Sequence, residues 1–212
     1  MIYLLSPLKK DGTISLPMIS FEIISKKIDF SNIDTLMFTS KQAVVSTNNI
    51  DKSWTKYPSI AIGEATKNRI EELGGKVLYY PKKFYGEVLA NDIKERFINR
   101  KILYLRPEQI SFDSKNFLKK EGIELQEQII YRTICRKYSQ EDRPHKGAII
   151  IFTSPSTIKC FFKNFHWDSS YIAVLIGKAT RKHLPTGCKY EIADKPLIDL
   201  CIKKANEILI TK

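Results

Sequence analysis

Short continuous apolar runs alternate along this chain with stretches of helical period. Leu36-Met37-Phe38 and the run from Ala148 to Phe152 have the unbroken hydrophobicity of strands buried on both faces. Each run leads into Thr-Ser (Thr39-Ser40 and Thr153-Ser154), and a hydroxyl there can cap the helical patterns that start at Lys41 and at Pro155. Proline suits the first turn of a helix, where its missing N–H leaves no bond unmade. A second pair of strands is predicted over 59–62 and 172–176, ending at Gly63 and Gly177. Helices then run to Leu73-Gly74 in one stretch and to about Leu184 in the other. Third strands over 76–80 and 189–193 precede helices over 86–97 and 197–209. Strand–helix alternation of this kind predicts an α/β fold with parallel sheets.

The two stretches are copies. Phe38-Thr39-Ser40 recurs as Phe152-Thr153-Ser154, and Ile62-Gly63-Glu64-Ala65-Thr66 as Ile176-Gly177-Lys178-Ala179-Thr180. One offset serves both, since 154 − 40 = 114 and 177 − 63 = 114. The first copy continues through Ile102-Leu103-Tyr104-Leu105, a helix near 113–121 and an extended stretch to Thr133, whereas the second stops. The missing part is predicted at the front: Ile2-Tyr3-Leu4 is matched with Leu103-Tyr104-Leu105, and Gly12–Phe21 with Gly122–Tyr131, less much of the helix between them. The expected architecture is two duplicated, permuted parallel-sheet α/β domains. One is discontinuous (1–17 plus 136–212), and the other is inserted into it (25–127). Segments 18–24 and 128–134, both β-rich, are expected to pair antiparallel as a two-stranded β-ladder hinge.

Composition narrows the chemistry. Ile2-Tyr3-Leu4-Leu5 has no basic segment before it and is far shorter than the roughly 20 residues that span a bilayer, so a cytoplasmic protein without membrane attachment is expected. Cys135, Cys160, Cys188 and Cys201 form no C-x-x-C pair and make no ligand spacing with the three histidines, so reduced thiols and no metal are expected. The net charge of +12 suits a nucleic acid, a polyanionic small molecule, or no partner at all, as solvated surface lysines; charge alone does not decide among them. The basic residues come in scattered pairs with no nucleic-acid motif, which disfavours the first.

In open α/β sheets, ligands bind beyond the carboxyl ends of the strands, where helix N-termini present free N–H groups to anions. The candidate positions are Thr39, Ser40, Gly63, Thr66 and Arg106 in one copy, and Thr153, Ser154, Pro155, Ser156, Gly177, Lys178 and Thr180 in the other. Capping alone explains any single hydroxyl; two matching sets favour a ligand with several carboxylates. Neither glycine opens a dinucleotide or Walker-type motif, and Ser154 lies in T-S-P-S rather than G-x-S-x-G. Glu121, Glu124 and Glu127 make an acidic pattern around a turn, with nothing further to support a glycosidase-like carboxylate pair. Tyr131 stands out because its expected repeat partner, Phe21, lacks the hydroxyl; a phenol there can donate to a leaving oxygen, or simply pack.

Six segments in register, F-T-S-K-Q-A-V (38–44), A-I-G-E-A-T (61–66), I-L-Y-L-R (102–106), I-I-Y-R-T (129–133), I-F-T-S-P-S-T (151–157) and V-L-I-G-K-A-T (174–180), resemble uroporphyrinogen-III synthases. The resemblance implies two α/β domains with the active site in a cleft between them, and a cyclising hydro-lyase of haem biosynthesis. Its substrate would be hydroxymethylbilane, a linear tetrapyrrole with eight carboxylates, and no cofactor is implied. Tyr131 matches the tyrosine proposed to assist loss of the hydroxyl. Thr66 and Thr180 match threonines of the cleft, while Ser40 and Thr153–Ser156 match substrate-facing loops. A monomer, in transient contact with the preceding pathway enzyme, is expected. The alternative from another class is a cytoplasmic two-lobed binding protein for a polyanionic small molecule.

Overall fold

The computed structural model describes residues 1–211. Along the chain, β1 (Ile2–Leu4) and β2 (Ile14–Ser15) are joined by turns where the other copy has a helix. Then β3 (Ile19–Ile23) leads into β4 (Thr35–Phe38), α1 (Lys41–Ile50), β5 (Ser59–Ala61), α2 (Glu64–Glu72), β6 (Val77–Tyr79) and α3 (Gly86–Arg96). These are followed by β7 (Ile102–Pro107), α4 (Ser114–Lys120) and the long β8 (Leu125–Cys135). The chain finishes with β9 (Ile149–Phe152), α5 (Pro155–Asn164), β10 (Ile172–Leu175), α6 (Lys178–Arg181), β11 (Tyr190–Ile192) and α7 (Ile198–Ile210). Two compact units result: Met1–Ser20 with Ile134–Lys212, and Phe21–Thr133. The division falls within β3 and β8.

One sheet has the order β11-β10-β9-β1-β2 and the other β3-β8-β7-β4-β5-β6. Reading β9 as β4, β10 as β5, β11 as β6, β1 as β7 and β2 as β8 makes the five shared strands identical in order. Register repeats too: Leu36 lies opposite Ser59 and Ile150 opposite Ala173, each 114 residues on. The front segment departs from the expected alignment. Tyr3 pairs with Ile150 as Leu103 pairs with Leu36, an offset of 103 − 3 = 100, so Tyr3 corresponds to Leu103 and not to Tyr104. Likewise Ile14 faces Tyr3 as Gln126 faces Leu103, giving 126 − 14 = 112 where 110 was expected. Continued from β2, the same offset carries Phe21 to Thr133 rather than to Tyr131, because short apolar matches cannot resolve one- or two-residue slips. Ile24 N–H donates to the Ile130 carbonyl (3.0 Å) and Arg136 N–H to the Met18 carbonyl (2.9 Å). The residue number falls along one segment as it rises along the other, as an antiparallel pairing of β3 with β8 requires.

Parallel strands bury both faces, and the period-two alternation shows it. In the Phe21–Thr133 unit, Leu36, Phe38, Ala61, Leu103 and Leu105 enter one core with Trp54 and α1 and α2; Met37, Ile60, Ile102 and Tyr104 enter the other with α3 and Leu118 of α4. In the other unit, Ile2, Leu4, Ile149, Ile151 and Val174 pack with Cys201 and Ala205 of α7. Helix α6 is a single turn, shorter than the helix to Leu184 that its pattern predicts. Its end is held by Arg181 Nη1 donating to the Leu184 carbonyl (3.0 Å), and Pro185 prevents continuation. The expectation of four reduced thiols is corrected: Cys135 at the end of β8 is bonded to Cys160 in α5, their Cα atoms 5.2 Å apart, leaving Cys188 and Cys201 free. A separation of 25 residues carries no signal in sequence; the fold brings the two together. No helix among the described residues is long and apolar enough to cross a membrane.

Two measurements follow. Thiol titration of the unreduced, denatured protein should give two reactive thiols, and reduction should cost roughly 3–4 kcal/mol in a urea melt, the loop-closure value for a span of this size. Gly75 abuts the fully buried Trp54 ring so closely that a Cβ would overlap it. Gly75→Ala should lower unfolding free energy by about 1–3 kcal/mol, read from the denaturation midpoint, because this ring has no room to move aside.

Candidate functional site

In the Phe21–Thr133 unit the polar groups gather where β4 and β7 end. Successive residues leave β4 toward opposite faces. Thr39 Oγ1 lies 2.6 Å from the Tyr104 hydroxyl on the α3–α4 side, and Ser40 Oγ lies 3.0 Å from the Tyr131 hydroxyl on the α1–α2 side. Ser40 is the N-cap of α1, its Oγ accepting from the Ala43 N–H at 3.0 Å. Tyr131 reaches this side through a register shift. Arg106 pairs with Ile129 but Pro107 with Tyr131, so Ile130 is an extra residue, a β-bulge. By alternation alone Tyr131 would share a face with Leu125 and Glu127; the bulge turns it into the core around Leu103 and Phe38 instead. The residue is 4% exposed, and its ring meets Phe21 edge-on at 5.7 Å. Burial pushes the phenol above its ordinary pKa, with the bond to Ser40 opposing, so Tyr131 stays a neutral donor across physiological pH.

On the other face, Arg106 Nε stands 3.3 Å from Glu127 Oε2, with side-chain exposures of only 15% and 12%. Arg106 Nη1 also donates to the Pro107 and Glu108 carbonyls at 2.9 and 3.2 Å. A buried ion pair adds little net stability over an apolar pair of similar size; what this one does is hold a guanidinium fixed at the end of β7. Glu127 lies opposite Tyr104 in the β7–β8 ladder, and burial pushes Tyr104 up to about 12 despite the Thr39 bond. Two of the acidic residues of this stretch are engaged by cations, Glu127 by Arg106 and Glu121 by Lys94 at 2.7 Å.

The remaining candidates divide. Gly63 is the N-cap of α2 and is covered by the Phe84 ring; Gly177, its repeat equivalent, has nothing within 4 Å of a would-be Cβ. Thr66 and Thr180, in the first turns of α2 and α6, are 4% and 3% exposed, so they line the helix starts from inside rather than offering free hydroxyls. In the other unit, Ser154 and Thr157 form a capping box, with Pro155 in the first turn of α5, while Thr153 and Ser156 are half-buried at the same edge. Lys178 is exposed. Sequence reasoning misses Tyr104 and Phe84, and it weighs Glu127 only as half of a carboxylate pair. For Tyr104 and Glu127 the available signal is a hydroxyl and a charge within strands otherwise apolar on that face; for Phe84 there is none.

Tyr104 makes the rim sensitive to alkali. Its folded pKa lies above the unfolded value of 10.0, so the neutral form is favoured on folding. Its contribution to stability is complete below pH 10.0 and is lost as pH rises through about 12. Tyr104→Phe should therefore show a shallower loss of stability than the unmodified protein over that window, measured by urea denaturation.

The family model for uroporphyrinogen-III synthase HemD matches residues 12–200. A search of curated proteins finds no significant match. The fold is similar to that of the crystal structure of uroporphyrinogen-III synthetase from Helicobacter pylori 26695, at a TM-score of 0.84 and 23% identity, covering 98% of each chain. It is also similar to a mutant uroporphyrinogen III synthase of the extremely thermophilic bacterium Thermus thermophilus, at a TM-score of 0.58 and 9% identity, covering 100% of this chain and 99% of that one. At these identities the structures speak to fold alone; the family match spans most of the residues. The chain belongs to the uroporphyrinogen-III synthase family, the cyclising lyases of haem biosynthesis.

Proposed function

We propose that this chain converts hydroxymethylbilane to uroporphyrinogen III, and that the Tyr131–Ser40 pair at the start of α1 is where the leaving hydroxyl is met. Family membership carries the reaction, and the 3.0 Å contact between the two hydroxyls carries the site. The ring A nitrogen lone pair expels the terminal hydroxyl, which takes up a proton from solvent and leaves as water, giving a protonated azafulvene; the proton lost at the final reclosure returns it. The substituted carbon of ring D attacks the exocyclic carbon to form a spiro intermediate. Cleavage of the bond from that carbon to its original bridge, and reclosure at the free α-carbon with loss of a proton, inverts the ring. The net change is loss of one water. A phenol held neutral by burial suits the first step as a hydrogen-bond donor to the departing oxygen, with no need to become a buried tyrosinate.

A substrate with eight carboxylates needs many anion contacts. Each unit taken by itself offers candidates: the fixed guanidinium of Arg106 and the helix starts after Thr39-Ser40 and Gly63 in one, with Thr66 beneath, and the Thr153–Ser156 turn with Lys178 in the other, with Thr180 beneath. The net charge of +12 favours encounter with such a polyanion. Control of conformation is the main task, because the unaided bilane closes without inverting ring D. The reading extends to a monomer working in the cytoplasm without cofactor or metal, receiving its short-lived substrate through transient contact with the enzyme that makes it.

The test is product analysis. Incubation with fresh hydroxymethylbilane, oxidation and isomer separation should give predominantly type III; a mixture no richer in type III than buffer alone would reject the assignment. Tyr131→Phe should lower kcat by roughly ten- to a hundredfold with little change in melting temperature. An unchanged kcat would return Tyr131 to a packing role against Phe21.

A further inference from the structure

The loop between β6 and α3 carries Lys82, Lys83, Phe84 and Tyr85, all exposed, directly after the buried Pro81. Phe84 is 52% and Tyr85 68% exposed, two consecutive aromatics left in solvent at the same edge of the sheet as Thr39, Ser40 and Arg106. Phe84 is not loose. Its ring lies on the backbone of Gly63, close enough that any Cβ there would overlap it. Gly63 has φ of 172°, an extended conformation open to any residue, so backbone conformation does not explain a glycine at this position. What its missing side chain does is seat the Phe84 ring. Gly177, at the equivalent place, also has extended φ (179°), yet nothing approaches it. The aromatic cover therefore belongs to one copy of the repeat and is not a requirement of the fold.

A half-exposed ring seated on the backbone, preceded by two exposed lysines and beside the first turn of α2, offers stacking and positive charge together. That combination matches a pyrrole ring bearing two carboxylate arms, the repeating unit of the substrate. We propose that Phe84 is a specificity-determining residue that stacks on one pyrrole of the bilane, with Lys82 and Lys83 beside it to meet that ring's carboxylates; the proposal rests on the synthase reading above. The covalent chemistry is not its concern, so its loss should act on binding.

The experiment is steady-state kinetics with hydroxymethylbilane, and type III fraction as a second readout, on Phe84→Ala, Phe84→Leu, Phe84→Tyr and Gly63→Ala. Phe84→Ala and Phe84→Leu should raise KM about five- to tenfold, the worth of one aromatic contact, with kcat within about twofold. Phe84→Tyr should keep KM near the original value. Gly63→Ala, which displaces the ring, should behave like Phe84→Ala. Thermal melts check folding, and Phe84→Trp gives a reading independent of turnover: its added emission should be quenched by anaerobic uroporphyrinogen III. A normal KM in Phe84→Ala or Phe84→Leu, or no quenching in Phe84→Trp, overturns the role of Phe84 while leaving the synthase reading intact. Failure of the unmodified protein to make type III overturns both.

Discussion

Parallel pairing of β4 between β5 and β7, with its counterpart β9 between β10 and β1, is the constraint on which the rest of each unit depends. A parallel sheet needs crossover connections, and these helices cover both faces. That covering is why Met37 and Phe38 are equally buried although they point in opposite directions. It also forces every crossover helix to begin at the carboxyl edge of the sheet. The caps of α1, α2 and α5 therefore sit along one edge of their own sheet, each followed by N–H groups that have no partner within the helix. Anion affinity is thus a by-product of topology before any particular residue is chosen.

The polar groups proposed for the chemistry are placed where that regular scheme is broken. The bulge at Ile130 is one extra residue in β8, yet it moves Tyr131 from the face of Glu127 to the face of Ser40. Without it the phenol would lie on the side of Tyr104, beyond reach of the α1 cap. The same edge then holds two tyrosine–hydroxyl pairs on opposite faces, Tyr131 with Ser40 and Tyr104 with Thr39, and a guanidinium fixed by Glu127. Burial keeps both phenols protonated. Such an edge can donate hydrogen bonds and bind carboxylates, which suits a reaction whose first event is departure of an oxygen from a highly anionic substrate.

The duplication explains the scaffold and also shows where the copies diverge. Strand order and the 114-residue register are common to both. The front copy lacks the α4 equivalent, α6 is a single turn, and of the equivalent glycines Gly63 and Gly177 only the first carries an aromatic cover. The Cys135–Cys160 bond ties the end of β8 to α5. It has no counterpart in the other copy, where the position 114 residues before Cys160 is the buried Ser46 of α1.

Much of this was legible in the chain itself. Apolar runs, Thr-Ser caps and the constant offset determined the strands, the helix starts and the permuted duplication, because these follow from local periodicity and from repeated wording. Candidate positions at strand ends were equally readable, since parallel topology dictates where helices start. The one-residue bulge that aims Tyr131, the ion pair of Arg106 with Glu127, the Cys135–Cys160 bond and the seat of Phe84 on Gly63 were not. Each joins residues from different elements through register or close approach, and such meetings are set by three-dimensional packing rather than by any periodic signal along the chain.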